Sequence, residues 1–234
     1  METIHAPAES GVAGTVATVA VRTRSGWTVN AVYGRLSLGD LVRTETSPEA
    51  VGSIPAFAQV LSLGAARSIA GRALSVGLAV RALTGRLDDR SETRWAADFG
   101  AVWERPRVRL GAATRFFDPT FGAGESGATC SLGGEYRSRD LGFWGTPVVV
   151  RLRYGATLAH GEGVAHLLSG GLAFSSAFEI DAGAARETVS GASVWRSRFG
   201  AAVTAGNYRV YLGRDGGVNG FGATYRFGLA ATIR

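Results

Sequence analysis

Two segments of this sequence, and one scattered set of charges, hold residue types that could do chemistry. The stretch His160-Gly161-Glu162-Gly163-Val164-Ala165-His166 places two imidazoles and a carboxylate close together. A zinc protease needs H-E-x-x-H, because one helical turn then sets both histidines on one face beside the glutamate. That spacing is absent here, and two glycines mark a hairpin turn, so no metal ligands are assigned. Asp98-Phe99-Gly100 matches a kinase tripeptide, but no Gly-rich loop, H-R-D or strand lysine accompanies it in a chain that contains no lysine. Asp98 reads instead as a strand residue facing inward. Ser169 lies near His166 in sequence, but a nucleophile and its base must meet in space. Both His160 and His166 read as loop residues, and no catalytic residue is assigned. The single Cys130 gives neither a disulfide nor a C-x-x-C pair, and no cofactor motif is present.

The remaining constellation is a set of arginines, Arg81, Arg109, Arg115, Arg151, Arg153, Arg196, Arg198, Arg209 and Arg226, with the acids Asp98, Glu135, Glu179 and Asp181. Gathered around a lumen, they would favour anionic solutes or an acidic plug. They could equally be inter-strand arginine–carboxylate pairs that hold a wall together. The second reading is preferred, since unpaired arginines facing one another in a narrow space are costly.

Either reading requires elements that turn these side chains to one side. Alternation with a period of two runs from about residue 11 to 234, with no helical period. It predicts thirteen strands near 12–22, 27–38, 56–69, 73–87, 92–104, 107–117, 127–137, 146–159, 164–175, 177–187, 192–205, 207–213 and 219–233. Residues 1–10 read as an N-terminal tail, and 11–234 as one domain. Longer polar connections fall near 39–55, 118–126 and 138–145. In 107–116 one phase is Val108, Leu110, Ala112, Thr114, Phe116, and the other is Arg109, Gly111, Ala113, Arg115. The same division appears as Trp195, Phe199, Val203 against Arg196, Arg198, Gly200.

A soluble sandwich also alternates, so strand length and small residues have to decide. Soluble strands average about 5–6 residues, whereas a tilted membrane crossing takes ~9–11, the length of most segments here. Glycine, 34 residues in all, studs the polar phase. It weakens a solvated strand but suits a curved inner wall. Trp27, Trp95, Trp103, Tyr136, Trp144, Tyr154 and Tyr208 fall mostly toward strand ends, where interfacial girdles belong. No apolar run approaches a membrane helix. The net charge of +6 is carried by arginines spread singly, not by a basic patch, which argues against nucleic acid. The expected class is all-β, an antiparallel transmembrane β-barrel of about 13–14 strands, in contact with outer-membrane lipid.

From Gly26 to Phe117 the order and type of segments resembles the PorV/PorQ family of outer-membrane barrels, relatives of the FadL-type transporters. The resemblance runs through Gly34-Arg35-Leu36-Ser37-Leu38-Gly39-Asp40, Arg43-Thr44-Glu45-Thr46 and Leu61-Ser62-Leu63-Gly64-Ala65-Ala66. It continues through Ala73–Arg81, Ala96–Trp103 and Val108–Ala113. It implies fourteen strands, a bacterial outer-membrane location, and a signal peptide and one strand upstream of this sequence. It also implies a structural, docking or protein-secretion role, with secretion machinery or secreted proteins as partners. The alternative is a FadL-like passive channel for hydrophobic or small anionic solutes.

Overall fold

The computed structural model describes residues 2–5, 12–39, 41–44, 49–69, 73–116, 129–159, 163–175, 177–189, 192–217 and 222–232. The chain begins with β1 (Glu2–His5), β2 (Val12–Arg22) and β3 (Trp27–Leu38). A small hairpin follows, β4 (Val42–Thr44) and β5 (Ala50–Ser53). Then come β6 (Ala56–Ile69), β7 (Leu74–Leu87), β8 (Arg90–Glu104), β9 (Val108–Phe116), β10 (Thr129–Arg137) and β11 (Val148–Ala159). The last five are β12 (Gly163–Phe174), β13 (Phe178–Val189), β14 (Ala192–Ala205), β15 (Tyr208–Asp215) and β16 (Thr224–Ala231).

Leaving aside the β4–β5 hairpin, fourteen strands pair antiparallel in a ring. The ring closes through β1, which lies between β16 (Thr3 opposite Phe227) and β2 (Thr3 opposite Thr15). This corrects two expectations. Residues 1–10 are not simply a tail, because Glu2–His5 belongs to the wall, and the fourteenth strand lies within this sequence instead of upstream. Four residues are too few to display alternation, so only their two neighbours reveal them as a strand. The thirteen expected strands all appear, 12–22, 27–38, 56–69 and 192–205 with the expected bounds and the others with shifted ends; 117, 127–128, 219–221 and 233 lie outside the described residues.

Antiparallel order sends successive connections to opposite rims. One rim receives the two longest, 39–55 and 117–128; the other receives 23–26, 70–73, 105–107, 138–147, 175–177 and 206–207. The 138–147 loop therefore sits on the short-turn rim, apart from the other two long connections. Its tip holds Leu141, Phe143 and Trp144, and Trp144 is 92% exposed. The Asp140 carboxylate fastens it by accepting the Gly142 and Val148 N–H groups, each at 3.0 Å.

The two faces of the wall differ sharply. Among the described residues no large side chain is fully buried, and the buried apolar residues are Ala56, Val148, Ala173, Ala185 and Ala202. The large apolar residues are exposed on the outer phase, as with Leu78 at 56%, Leu168 at 60% and Phe227 at 51%. A water-soluble chain of this size would bury most of them, since each buried Leu or Phe contributes about 1.5–3 kcal/mol. The apolar band also has edges. On β8, Trp95 and Trp103 bound the band, and Thr93 follows outside it. On β3, Tyr33 is followed by Arg35, and on β7, Ala82 by Thr84. The eight residue steps from Trp95 to Trp103 span about 26 Å along a strand, or about 20 Å along an axis tilted by ~40°, close to a membrane barrel's band of about 25 Å.

Candidate functional site: the lumen

The inner phase is set by register. Asp98 stands opposite Ala79 on β7 and Arg115 on β9, and Glu135 opposite Arg109 on β9 and Arg153 on β11. Within this phase the charges form three groups at different heights.

Nearest the short-turn rim, Glu179 on β13 collects three arginines. Arg151 Nη1 donates to its Oε1 at 2.6 Å, Arg153 Nη2 to the same oxygen at 3.2 Å, and Arg209 Nη2 to Oε2 at 2.9 Å. Arg153 Nε also donates to Glu135 Oε2 at 2.6 Å, and Arg137 donates to the other oxygen of Glu135. Arg109 Nη2 pairs with Glu104 at 2.7 Å on the adjoining strands. Arg151 reaches Glu179 across β12, and Arg209 reaches it across β14. The residues flanking Glu179 in register are Ala173 and Ala202. Small side chains on a concave wall leave room for a guanidinium to arch over, and both alanines end up buried.

At mid-height Arg81 pairs with Asp98. Arg115 shares Asp98's register position, but its side chain lies outside the described residues. Closer to the long-loop rim, Asp215 forms ion pairs with Arg198, at 3.2 Å, and with Arg226. Arg196 stands opposite Ala185 on the same wall. Asp181 lies against Gly200, where a Cβ would collide with its carboxylate and come within 3.1 Å of the Tyr211 ring. Tyr211 also covers Gly213, where a Cβ would approach its hydroxyl to 2.6 Å.

The inner set is larger than the sequence list. Glu104, Arg137, Asp215 and Tyr211 share it, and simple parity along their strands would have found them. Ser169 and His166 are the reverse case. His166 lies in β12, not in a loop, and faces outward, where its Nδ1 meets the Tyr154 hydroxyl at 2.9 Å. Ser169 is three residues on, so it projects to the lumen, and the wall separates the two. His160 lies outside the described residues.

The wall on β7 to β10 is built of small residues instead, among them Gly77, Gly100, Gly111, Ala113 and Gly133. A cavity of about 670 Å³ lies against it, edged by Asp98, Arg109, Glu135 and Arg153. Fourteen strands spaced ~4.8 Å apart and tilted by about 40° give a backbone diameter of about 28 Å. Small and arch-forming side chains do not fill that width. Chemically, the lumen offers fixed guanidinium groups that can attract an anion and release it.

No protein-family model matches the chain, and no curated protein does. Solved structures match its fold. A triple mutant of the Rhodopseudomonas blastica porin aligns at 12% identity over 99% of this chain and 96% of that one, with a TM-score of 0.52. A second mutant of that porin gives the same values. CdiB from Acinetobacter baumannii aligns at 9% identity and a TM-score of 0.55; 98% of this chain covers 58% of that one. At such identities the likeness establishes the all-β barrel fold.

Proposed function

We propose that this protein is a bacterial outer-membrane pore that passes small hydrophilic solutes, with a preference for anions. The observation that carries this reading is the contrast between the faces: an apolar outer band bounded by aromatic residues, and a wide polar lumen where arginines outnumber carboxylates. Exposed leucines and phenylalanines are stable only against lipid, and a closed ring leaves no sheet edge in it. The longer connections would face outward and the short turns the periplasm. The likeness to a porin fold agrees with this. Most lumen arginines are paired, so selectivity would come from the surplus of positive charge, not from a single binding site. Planar-bilayer recording of the full chain tests the proposal. Steady conductance is expected, with a reversal potential displaced toward the anion in a salt gradient. A silent barrel, or a cation-selective one, would overturn it.

A second reading is a PorV/PorQ-type docking role in protein secretion. The 138–147 loop favours it, since an exposed Leu-Gly-Phe-Trp tip on a fastened loop is a ready contact for another protein. In that case the barrel would be silent and would co-purify with secreted proteins or secretion components.

A further inference from the structure

One part of the inner wall breaks the polar pattern of the lumen. Leu83 on β7 lies two residues beyond the inward Arg81, so it too points into the lumen. Register carries that face across three more strands: Leu83 stands opposite Val60 on β6, Val60 opposite Gly34 on β3, and Gly34 opposite Val16 on β2. The next inward row, toward the long-loop rim, reverses the sizes. There Leu36 stands between Gly14 and Ala58, and Ala58 opposite Gly85. Aliphatic side chains surround a glycine in one row and small residues surround a leucine in the next, which hollows the wall. The result is a cavity of about 510 Å³, within the size range of small-molecule sites. A Cβ at Gly34 would come within 3.0 Å of Val60 and 3.7 Å of Val16, so both side chains lean over the glycine. At Gly85 it would meet nothing within 4 Å, and here the cavity is open. A wall needs no aliphatics to close: β9 and β10 use Gly111, Ala113, Ser131 and Gly133 on the same face.

The described charges beside this cavity come in opposite pairs. The row of Leu83 continues to Arg94 on β8, and the row of Leu36 to Glu92. Arg94 donates to both oxygens of Glu92, from Nε at 2.9 Å and from Nη2 at 3.1 Å. On the mid-height side Arg81 pairs with Asp98. The arginine surplus of the lumen lies elsewhere, around Glu179 and Asp215 on β11 and β14 to β16. A solute held in the cavity therefore needs an apolar body and charges that cancel.

We propose that the cavity binds an apolar α-amino acid of the size of leucine or phenylalanine. Its side chain covers Val16, Leu36, Val60 and Leu83, which face the lumen without an apolar partner across it. Its carboxylate takes Arg94 and its ammonium takes Glu92. An exposed arginine–glutamate pair holds itself only weakly in water, so it can open to accept a second pair of charges whose signs match its own in reverse. The site rests on the lumen being open to solutes, as in the pore reading, and not on the anion preference.

The test is equilibrium binding of radiolabelled phenylalanine to full-length protein in phosphatidylcholine vesicles, with protein-free vesicles as the blank. Saturable retention is expected, displaced by leucine. Glycine, which lacks the apolar body, and 3-phenylpropionate and 2-phenylethylamine, which each lack one charge, should compete about tenfold less well, the cost of one lost charge-assisted contact. Gly85→Leu fills the open end of the cavity and should abolish retention. Glu92→Gln should remove the advantage of phenylalanine over 3-phenylpropionate. Both variants should keep the heat-dependent gel mobility of a folded barrel. Folded Gly85→Leu that retains phenylalanine as the wild type does, or 3-phenylpropionate competing as well as leucine in the wild type, overturns the site. A barrel that conducts in planar bilayers but retains no phenylalanine overturns the site alone; one that retains it and stays silent overturns the pore reading alone.

Discussion

Replacing Leu78 with arginine tests the assignment of inside and outside at its most sensitive point. Leu78 lies at the centre of the outward run Leu74, Val76, Leu78, Val80, Ala82 on β7, and is 56% exposed. By strand rise and tilt it is about 10 Å from each edge of the apolar band. A guanidinium there must be desolvated in hydrocarbon, or reach about 10 Å to an interface; for membrane barrels this costs about 2–4 kcal/mol at the midplane. Three kcal/mol corresponds to roughly a 150-fold change in the folding equilibrium. The control is one residue away. Ala79 faces the lumen opposite Asp98, so an arginine there has water and a carboxylate, and Ala79→Arg should cost less than about 1 kcal/mol. The assay is reversible denaturant unfolding from vesicles, followed by tryptophan fluorescence. Leu110→Arg should behave like Leu78→Arg, and a change at Arg109 like Ala79→Arg. Equal costs at Leu78 and Ala79, or a larger cost at Ala79, would refute the orientation of the wall.

Four further outcomes are expected. Glu179→Gln removes the negative charge shared by Arg151, Arg153 and Arg209, so reversal potentials in a salt gradient should move further toward the anion; an unchanged value would mean these groups lie off the conduction path. Deleting residues 1–5 leaves β2 and β16 as neighbours that run parallel, so the antiparallel ring cannot close, and heat-modifiable gel mobility should be lost. Conversely, Thr3→Cys with Phe227→Cys should form a disulfide under mild oxidation, because opposite residues in an antiparallel pair lie within bonding range; failure to cross-link would count against this seam. Gly213→Leu should displace Tyr211 into the lumen, and single-channel conductance measures the narrowing.

The sequence by itself determined the class of the fold and the sides of its strands. Alternation is local chemistry: Val108, Leu110 and Ala112 against Arg109, Gly111 and Ala113 can satisfy only a wall with two different environments. The length of such runs, with Trp95 and Trp103 at the two limits of one of them, also sets the thickness of the apolar layer. Parity along those strands made most of the inner residues legible, including Asp98 and Glu179, and would have added Glu104 and Asp215. What it could not supply was anything that depends on which strand lies beside which. Glu2–His5 carries no readable pattern and becomes a strand only between β16 and β2. The 138–147 loop reads as one more long polar connection, and only the antiparallel order places it on the short-turn rim. The convergence of three arginines on Glu179 needs β11, β13 and β15 to be alternate staves of one curved wall. These are relations across hydrogen-bonded neighbours far apart in the chain, and only closure of the ring makes them neighbours.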